Sequence, residues 1–283
     1  MIFIMKKLIL GAASLLLSVS LIGCGSSSTK NESAGSTTTE GGNKVVTLKV
    51  GASPVPHEEI LKAIEPQLEK EGVKLDIVTF NDYVQPNLKL ADGTLDANFF
   101  QHVPYMESFA KDHKLDLTAL TAVHVEPIGG YSKKYKSVDE LPDGATIAVP
   151  NDVTNEGRVL VLLQKKGLIK LKDGVGINGT LKDITENKKN FKFKELEAAM
   201  LPRVLPEVDL DMINTNYALE AKLVPTKDAL ILEDKDSPYA NVLTVNTKDK
   251  DNEALKKLAQ ALNSPEAKKF IEDKYQGSII PAF

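Results

Sequence analysis

The 283-residue chain has no tryptophan, one cysteine, and only two arginines, Arg158 and Arg203, among 35 basic residues. Each shortage excludes something. A single cysteine, Cys24, rules out an intrachain disulfide. There is no Gly-x-Ser-x-Gly elbow, no glycine-rich phosphate loop and no cysteine suited to nucleophilic attack. His57, His102, His113 and His124 have no metal-ligand spacing, so no metal and no cofactor is implied. The carboxylates are scattered along lysine-rich segments and read as solvated faces. Nothing in the sequence supports an enzyme.

What is present begins with the N-terminus. Lys6 and Lys7 precede an apolar stretch over residues 8–21, and Leu21-Ile22-Gly23-Cys24 closes it. That order matches the bacterial lipoprotein box, in which the leader (residues 1–23) is removed and the cysteine thiol is acylated. The apolar run is shorter than the roughly 20 residues of a membrane span, so it reads as a signal segment. Acyl chains such as palmitate on Cys24 would hold the protein at the extracytoplasmic face of a cell membrane, since stable anchoring takes more than one chain. Losing Lys6 and Lys7 moves the formal charge from −4 to −6. A mildly acidic surface argues against a nucleic-acid partner.

Residues 24–44 hold the lipidated cysteine and a Ser/Thr/Gly-rich stretch with little to bury, read as a flexible tether. Beyond it, apolar segments alternate between strand and helix character. Strands are expected over 45–50, 73–80, 95–99, 145–149, 191–196, 208–213 and 242–245, with an extended stretch over 115–125. Helices are expected over 58–71, 83–91, 104–113 and 155–166, between the strands at 196 and 208, after Asn214, and as a pair over 252–275. This alternation indicates α/β architecture with parallel sheets. A late return strand points to two lobes and two chain crossings: residues 45–125 plus 240–283 as lobe I, 126–239 as lobe II. Ligands of open α/β sheets sit at the carboxyl ends of strands, so the cleft between lobes is the expected site.

Three segments carry binding chemistry. Residues 150–158 leave a buried strand and open an apolar helix, with Thr154 as expected N-cap. Arg158 should reach back over free backbone amides to complete an anion site, provided Glu156 turns away. Residues 96–105 leave another strand end; Phe99 and Phe100 point to opposite faces, so Phe100 with Tyr83 and Tyr105 can form an aromatic wall suited to an apolar or thioether side chain. Asn214 and Asn216 follow the strand ending at Ile213, where Asn214 can serve as a helix cap, a ligand contact, or both. Asn241 opens the late strand.

At these motifs the chain resembles the methionine-binding lipoproteins of bacterial ABC importers, the NlpA-like lipoprotein family. The likeness runs from residue 45 to the C-terminus. It is carried by residues 80–87 (Phe-Asn-Asp-Tyr-Val-Gln-Pro-Asn), 96–105, 129–134 (Gly-Gly-Tyr-Ser-Lys-Lys), 151–158, 168–174, 213–218 and 233–239. The resemblance implies a two-lobed, periplasmic-binding-protein-like fold of type II, a monomer that closes on L-methionine and delivers it to a permease and its ATPase. It also implies that Arg158 clamps the ligand carboxylate, that Asn214, Asn216 and Asn241 fix the head group, and that Tyr83, Phe100, His102 and Tyr105 line the side-chain pocket. Val153 departs from the proline common in relatives. D-methionine, a methionine-containing dipeptide or another amino acid remain alternative cargoes on the same fold, and a surface interaction lipoprotein is an alternative role.

Overall fold

The computed structural model describes residues 36–40, 43–235 and 237–283. The leader, Cys24, the tether as far as residue 35, and Asp236 lie outside the described residues. Two sheets organise the rest. The first takes β1 (Ser36–Glu40), β2 (Asn43–Ala52), β3 (Val73–Thr79), β4 (Ala97–His102), β5 (Leu117–Val125), β13 (Ala240–Asn246) and β14 (Ile280–Pro281). The second takes β6 (Gly129–Tyr131), β7 (Thr146–Pro150), β10 (Lys192–Leu196), β11 (Leu210–Ile213) and β12 (Ile231–Leu232). A short ribbon joins β8 (Lys170–Leu171) to β9 (Ile184–Glu186). The chain passes from first sheet to second between Val125 and Gly129 and returns between Leu232 and Ala240.

The helices are α1 (Glu59–Lys70), α2 (Gln85–Ala91), α3 (Val103–His113), α4 (Val153–Lys165), α5 (Leu201–Val204), α6 (Thr215–Glu220), α7 (Pro225–Asp228), α8 (Glu253–Leu262) and α9 (Pro265–Tyr275). In α1, Ile60, Leu61, Ile64 and Leu68 recur at helical spacing and bury one stripe. That stripe packs with Leu255 and Leu258 of α8 and Ile271 of α9 against Leu48 and Val50 of β2. Asn252 and Ser264 start the last two helices by accepting from the backbone N–H groups of Ala254 and Ala267. The second core sets Val159, Leu160 and Leu163 of α4 on Ile147, Val149, Leu210 and Met212. Each fully buried aliphatic side chain contributes about 1.5–3 kcal/mol.

Three differences from the sequence reading have physical causes. The sheets are mixed, not parallel throughout: β13 runs antiparallel to both β4 and β5, and β6 antiparallel to β11, because the two crossings reverse the chain. Ser36–Glu40, placed in the tether, pairs antiparallel with β2, where a run of β-branched threonines favours a strand. Asp152, not Thr154, caps α4: its Oδ1 accepts from the Asn155 N–H at 3.0 Å, and Thr154 donates its hydroxyl to the same oxygen.

Gly157 is required by packing. A Cβ there would stand 2.0 Å from the Ile177 carbonyl oxygen, so only glycine lets the turn at residues 176–178 close over α4.

Asp211 is the costliest residue of the second sheet. It is fully buried on β11, and neither carboxyl oxygen has a hydrogen-bond partner. Burial pushes its carboxyl up to about 8, with Lys194 opposing weakly. The folded-state value lies above the unfolded one, so the associated stability is complete below about pH 4 and is lost as pH rises towards 8. Between pH 5 and 8 the wild-type chain is expected to lose about 3 kcal/mol more than Asp211→Asn. Urea unfolding at both pH values checks this; parallel losses in the two proteins would show Asp211 to be ionised in the folded state.

Candidate functional site

The carboxyl ends of β4, β7 and β11 meet the start of β13 around a cavity. Its wall includes all eight residues expected to contact ligand. Tyr83, Phe100, His102 and Tyr105 come from the first-sheet side; Arg158, Asn214 and Asn216 from the second; Asn241 from the return strand. Gln101, Glu126, Asn155 and Thr215 complete the lining and were not anticipated.

The aromatic side is a connected set. Phe100 is 4% exposed and faces the cavity, while Phe99 points into the first core, as strand alternation requires. Tyr83 lies within 6.0 Å of Phe100, 5.8 Å of Tyr105 and 5.1 Å of Tyr217, measured between ring centroids. The Tyr105 hydroxyl donates to the Tyr83 carbonyl at 3.0 Å, fixing both rings. Behind them, Gln101 and Asn87 exchange two side-chain bonds of 2.7 Å, and Gln101 also donates to Asn98 and Thr244. That buried amide network ties α2 to β4 and β13 under the cavity floor.

His102 has a defined tautomer. Its Nδ1 accepts from the Tyr105 N–H, capping α3, so Nε2 carries the proton and donates to Asn155 Oδ1 at 3.2 Å. Burial, then the Arg158 charge, pushes the imidazole down to about 3. Asn155 Oδ1 also accepts from Asn214 Nδ2 at 2.9 Å, and Asn155 Nδ2 is held by the Asp152 carboxylate. The Asn214 side chain therefore does not cap α6. Hydrogen bonds that join the two sides of the cavity include His102 to Asn155, Tyr83 Oη to Asn216 Oδ1 at 2.6 Å, and Tyr217 Oη to the Asn81 carbonyl at 3.3 Å. Two orphaned atoms remain on the wall. Asn214 Oδ1 accepts nothing and Asn216 Nδ2 donates to nothing, although both are buried. Such unmatched groups at a cavity are where a polar ligand completes the bonding.

Arg158 departs from its expected setting. It does not reach back over helix amides; its Nε lies 3.0 Å and its Nη2 2.5 Å from the Glu233 carboxylate, and Nη2 also donates to the Glu126 carbonyl at 2.7 Å. The guanidinium lies 4.3 Å from the centre of the Tyr239 ring. At 3% exposure a cation needs such a partner, and the second crossing supplies it. Nη1 has no hydrogen bond among the described residues, leaving one edge of the fork for an anion. Glu156 is turned away, its Oε1 accepting from the Leu181 N–H at 3.0 Å.

Beneath the head of the cavity, His57, His124 and Glu126 converge, with ligand-capable atoms within 4.8 Å of one another. Sequence spacing could not show this, because the histidines are 67 positions apart and meet only when the turn at Pro54–Glu58 packs against β5. Glu126 Oε1 lies 2.8 Å from His124 Nε2 and 3.2 Å from His57 Nε2; the latter is also 3.1 Å from Asn241 Oδ1. Neither Nδ1 has a partner. A metal-bound imidazole ordinarily donates its other ring N–H to an acceptor, which both lack here. The arrangement instead fits two neutral imidazoles donating through Nε2–H to a carboxylate. Burial holds His57 down to about 4 and His124 to about 3, and pushes the Glu126 carboxyl up, against the opposing influence of His57 and Arg158.

Residues 48–283 match the family model described as NlpA lipoprotein. The D-methionine-binding lipoprotein MetQ of Salmonella typhimurium is 47% identical over 236 residues, covering 82% of this chain and 87% of the relative. A nutrient-binding protein from Burkholderia cenocepacia, solved bound to methionine, is 50% identical with a TM-score of 0.81 over 83% of this chain and 100% of that one. An ABC-transporter periplasmic substrate-binding protein from Coxiella burnetii is 42% identical, with a TM-score of 0.80 over 83% and 100%.

Removing Glu233 should expose the cost of the buried cation. Glu233→Ala is expected to lower the unfolding free energy by about 3 kcal/mol, measured by urea denaturation. A loss below about 1 kcal/mol would place the pair among solvent-screened surface bridges.

Proposed function

The chain belongs to the NlpA lipoprotein family, and on that premise we propose that it is the substrate-binding lipoprotein of an ABC importer, closing on methionine and delivering it to the permease. It is a binding protein and not an enzyme. The observation that carries this reading is the convergence of Arg158, Asn214, Asn216 and Asn241 with the Tyr83, Phe100, His102 and Tyr105 wall in one cavity. Relatives at this level of identity are named for D-methionine or were solved with methionine, so both enantiomers belong in the test.

In this reading the free Nη1 edge of Arg158 and the orphaned Asn216 Nδ2 hold the ligand carboxylate. Asn214 Oδ1 accepts from the ammonium, and the aromatic wall takes the thioether. We take lobe I as residues 45–125 plus 240–283 and lobe II as 126–239, supported by the membership of the two sheets. The protein acts as a monomer anchored through lipid on Cys24 at the extracytoplasmic face, with the permease and its ATPase as partners.

The energetics suit so small a ligand. Methionine has nine heavy atoms, and a ceiling of about 1.5 kcal/mol each allows about −13 kcal/mol. A micromolar complex needs about −8 kcal/mol. Two variants test the assigned roles by titration calorimetry on protein stripped of copurified ligand by unfolding and refolding. Arg158→Ala is expected to weaken methionine binding by at least about 2 kcal/mol; near-wild-type affinity would remove Arg158 from the site. Tyr105→Ala should weaken methionine far more than alanine, and an equal loss for both would contradict a side-chain role. Failure of the wild-type protein to bind either enantiomer would discard methionine as cargo.

A further inference from the structure

Arg158 and Glu126 are the two oppositely charged groups on the cavity wall, and they differ in how they are compensated. The Arg158 charge is matched by Glu233. The Glu126 carboxylate has no cation in hydrogen-bond contact among the described residues, although Arg158 donates to the Glu126 backbone carbonyl: the carboxylate receives N–H groups from His57 and His124, both neutral, and the backbone N–H of Asn216. A buried carboxylate held only by neutral donors is an incomplete arrangement. It becomes complete when a cation enters the cavity beside it.

We propose that Glu126 is the counter-ion for the ligand's α-ammonium, with His57 and His124 as positioning residues that orient its carboxylate, so that the cavity selects for a free primary amine. The inference rests on the amino-acid reading of the site and names a group that reading leaves out. Three features support the assignment. First, both histidines present Nε2–H to the same oxygen, Oε1, and the Asn216 backbone N–H also donates to the carboxylate, which fixes it as an acceptor on the cavity wall. Second, their Nδ1 atoms have no proton acceptor, so the reverse tautomers would lose these bonds and gain none. Third, Asn241 Oδ1 and the orphaned Asn214 Oδ1 belong to the same wall, giving an ammonium with three protons one anionic and two neutral acceptors. Arg158 and Glu126 thus form a dipolar wall matched to a zwitterion.

The test uses the full chain and two probes that differ only at the amine: L-methionine and its 2-hydroxy analogue, 2-hydroxy-4-(methylthio)butanoate. The wild-type protein is expected to bind methionine at least about 100-fold more tightly, the order of effect for truncating one member of a buried charged pair. Glu126→Gln should bring that ratio below about 10-fold, mainly by weakening methionine. His124→Leu should lower the ratio as well, and His124→Gln, which retains an N–H donor, should restore much of it. Equal affinity for the two probes in the wild-type protein would overturn the proposal without any variant having to fold. An unchanged ratio in correctly folded Glu126→Gln would overturn it too. Absence of methionine binding in the wild-type protein would instead mark failure of the methionine reading, because a panel of other amino acids, each paired with its own 2-hydroxy acid, reports on the amine independently of the thioether.

Discussion

Burying the Arg158 guanidinium with its charge intact sets the terms for the centre of this molecule. A cation at 3% exposure needs an anion, a second acceptor and a polarisable surface. They come from Glu233, the Glu126 carbonyl and the Tyr239 ring. Glu126 stands in the first chain crossing, Glu233 and Tyr239 in the second. The two connections between the sheets are thereby fastened to one side chain on α4. The cavity lies beside that junction, with Arg158 on its wall.

Of the bonds that span the cavity, His102–Asn155, Tyr83–Asn216 and Tyr217–Asn81 are each worth about 0.5–1.5 kcal/mol net, so together they contribute only a few kcal/mol. Such a sum favours one arrangement without locking it, which is the range in which a small ligand can shift a two-state equilibrium. The ion pair at the junction, by contrast, joins residues of α4 and the second crossing and does not span the cavity.

Much of this was legible in the sequence. Strand-end motifs located Phe100 and Asn214 because apolar runs ending in polar residues mark carboxyl ends, the family resemblance added His102 and Asn241, and helix periodicity located α1, α4, α8 and α9. The scarcity of arginine singled out Arg158, though not its partner: Glu233 is 75 residues away, and only the return of the chain brings it close. Glu126, His57 and His124 escaped notice for the same reason. Each is an ordinary residue in its own segment, and their meaning arises from packing between the turn before α1 and the end of β5. The mixed sheets were missed because β6 and β12 are only three and two residues long, too short to show a period.

At the rim of the cleft, Val84 just before α2 and Val153 at the start of α4 are 44% and 52% exposed and line one shallow groove from opposite sides. Neither belongs to the cavity wall. The chain's only cysteine is Cys24, and it has no tryptophan to compete with an added chromophore. Val84→Cys and Val153→Cys would thus offer two addressable thiols straddling the mouth, where a dye pair reports separation of the two sides while the binding surface stays chemically untouched. The same economy of residue types that makes the native protein optically quiet makes it a ready scaffold for a reagentless optical sensor.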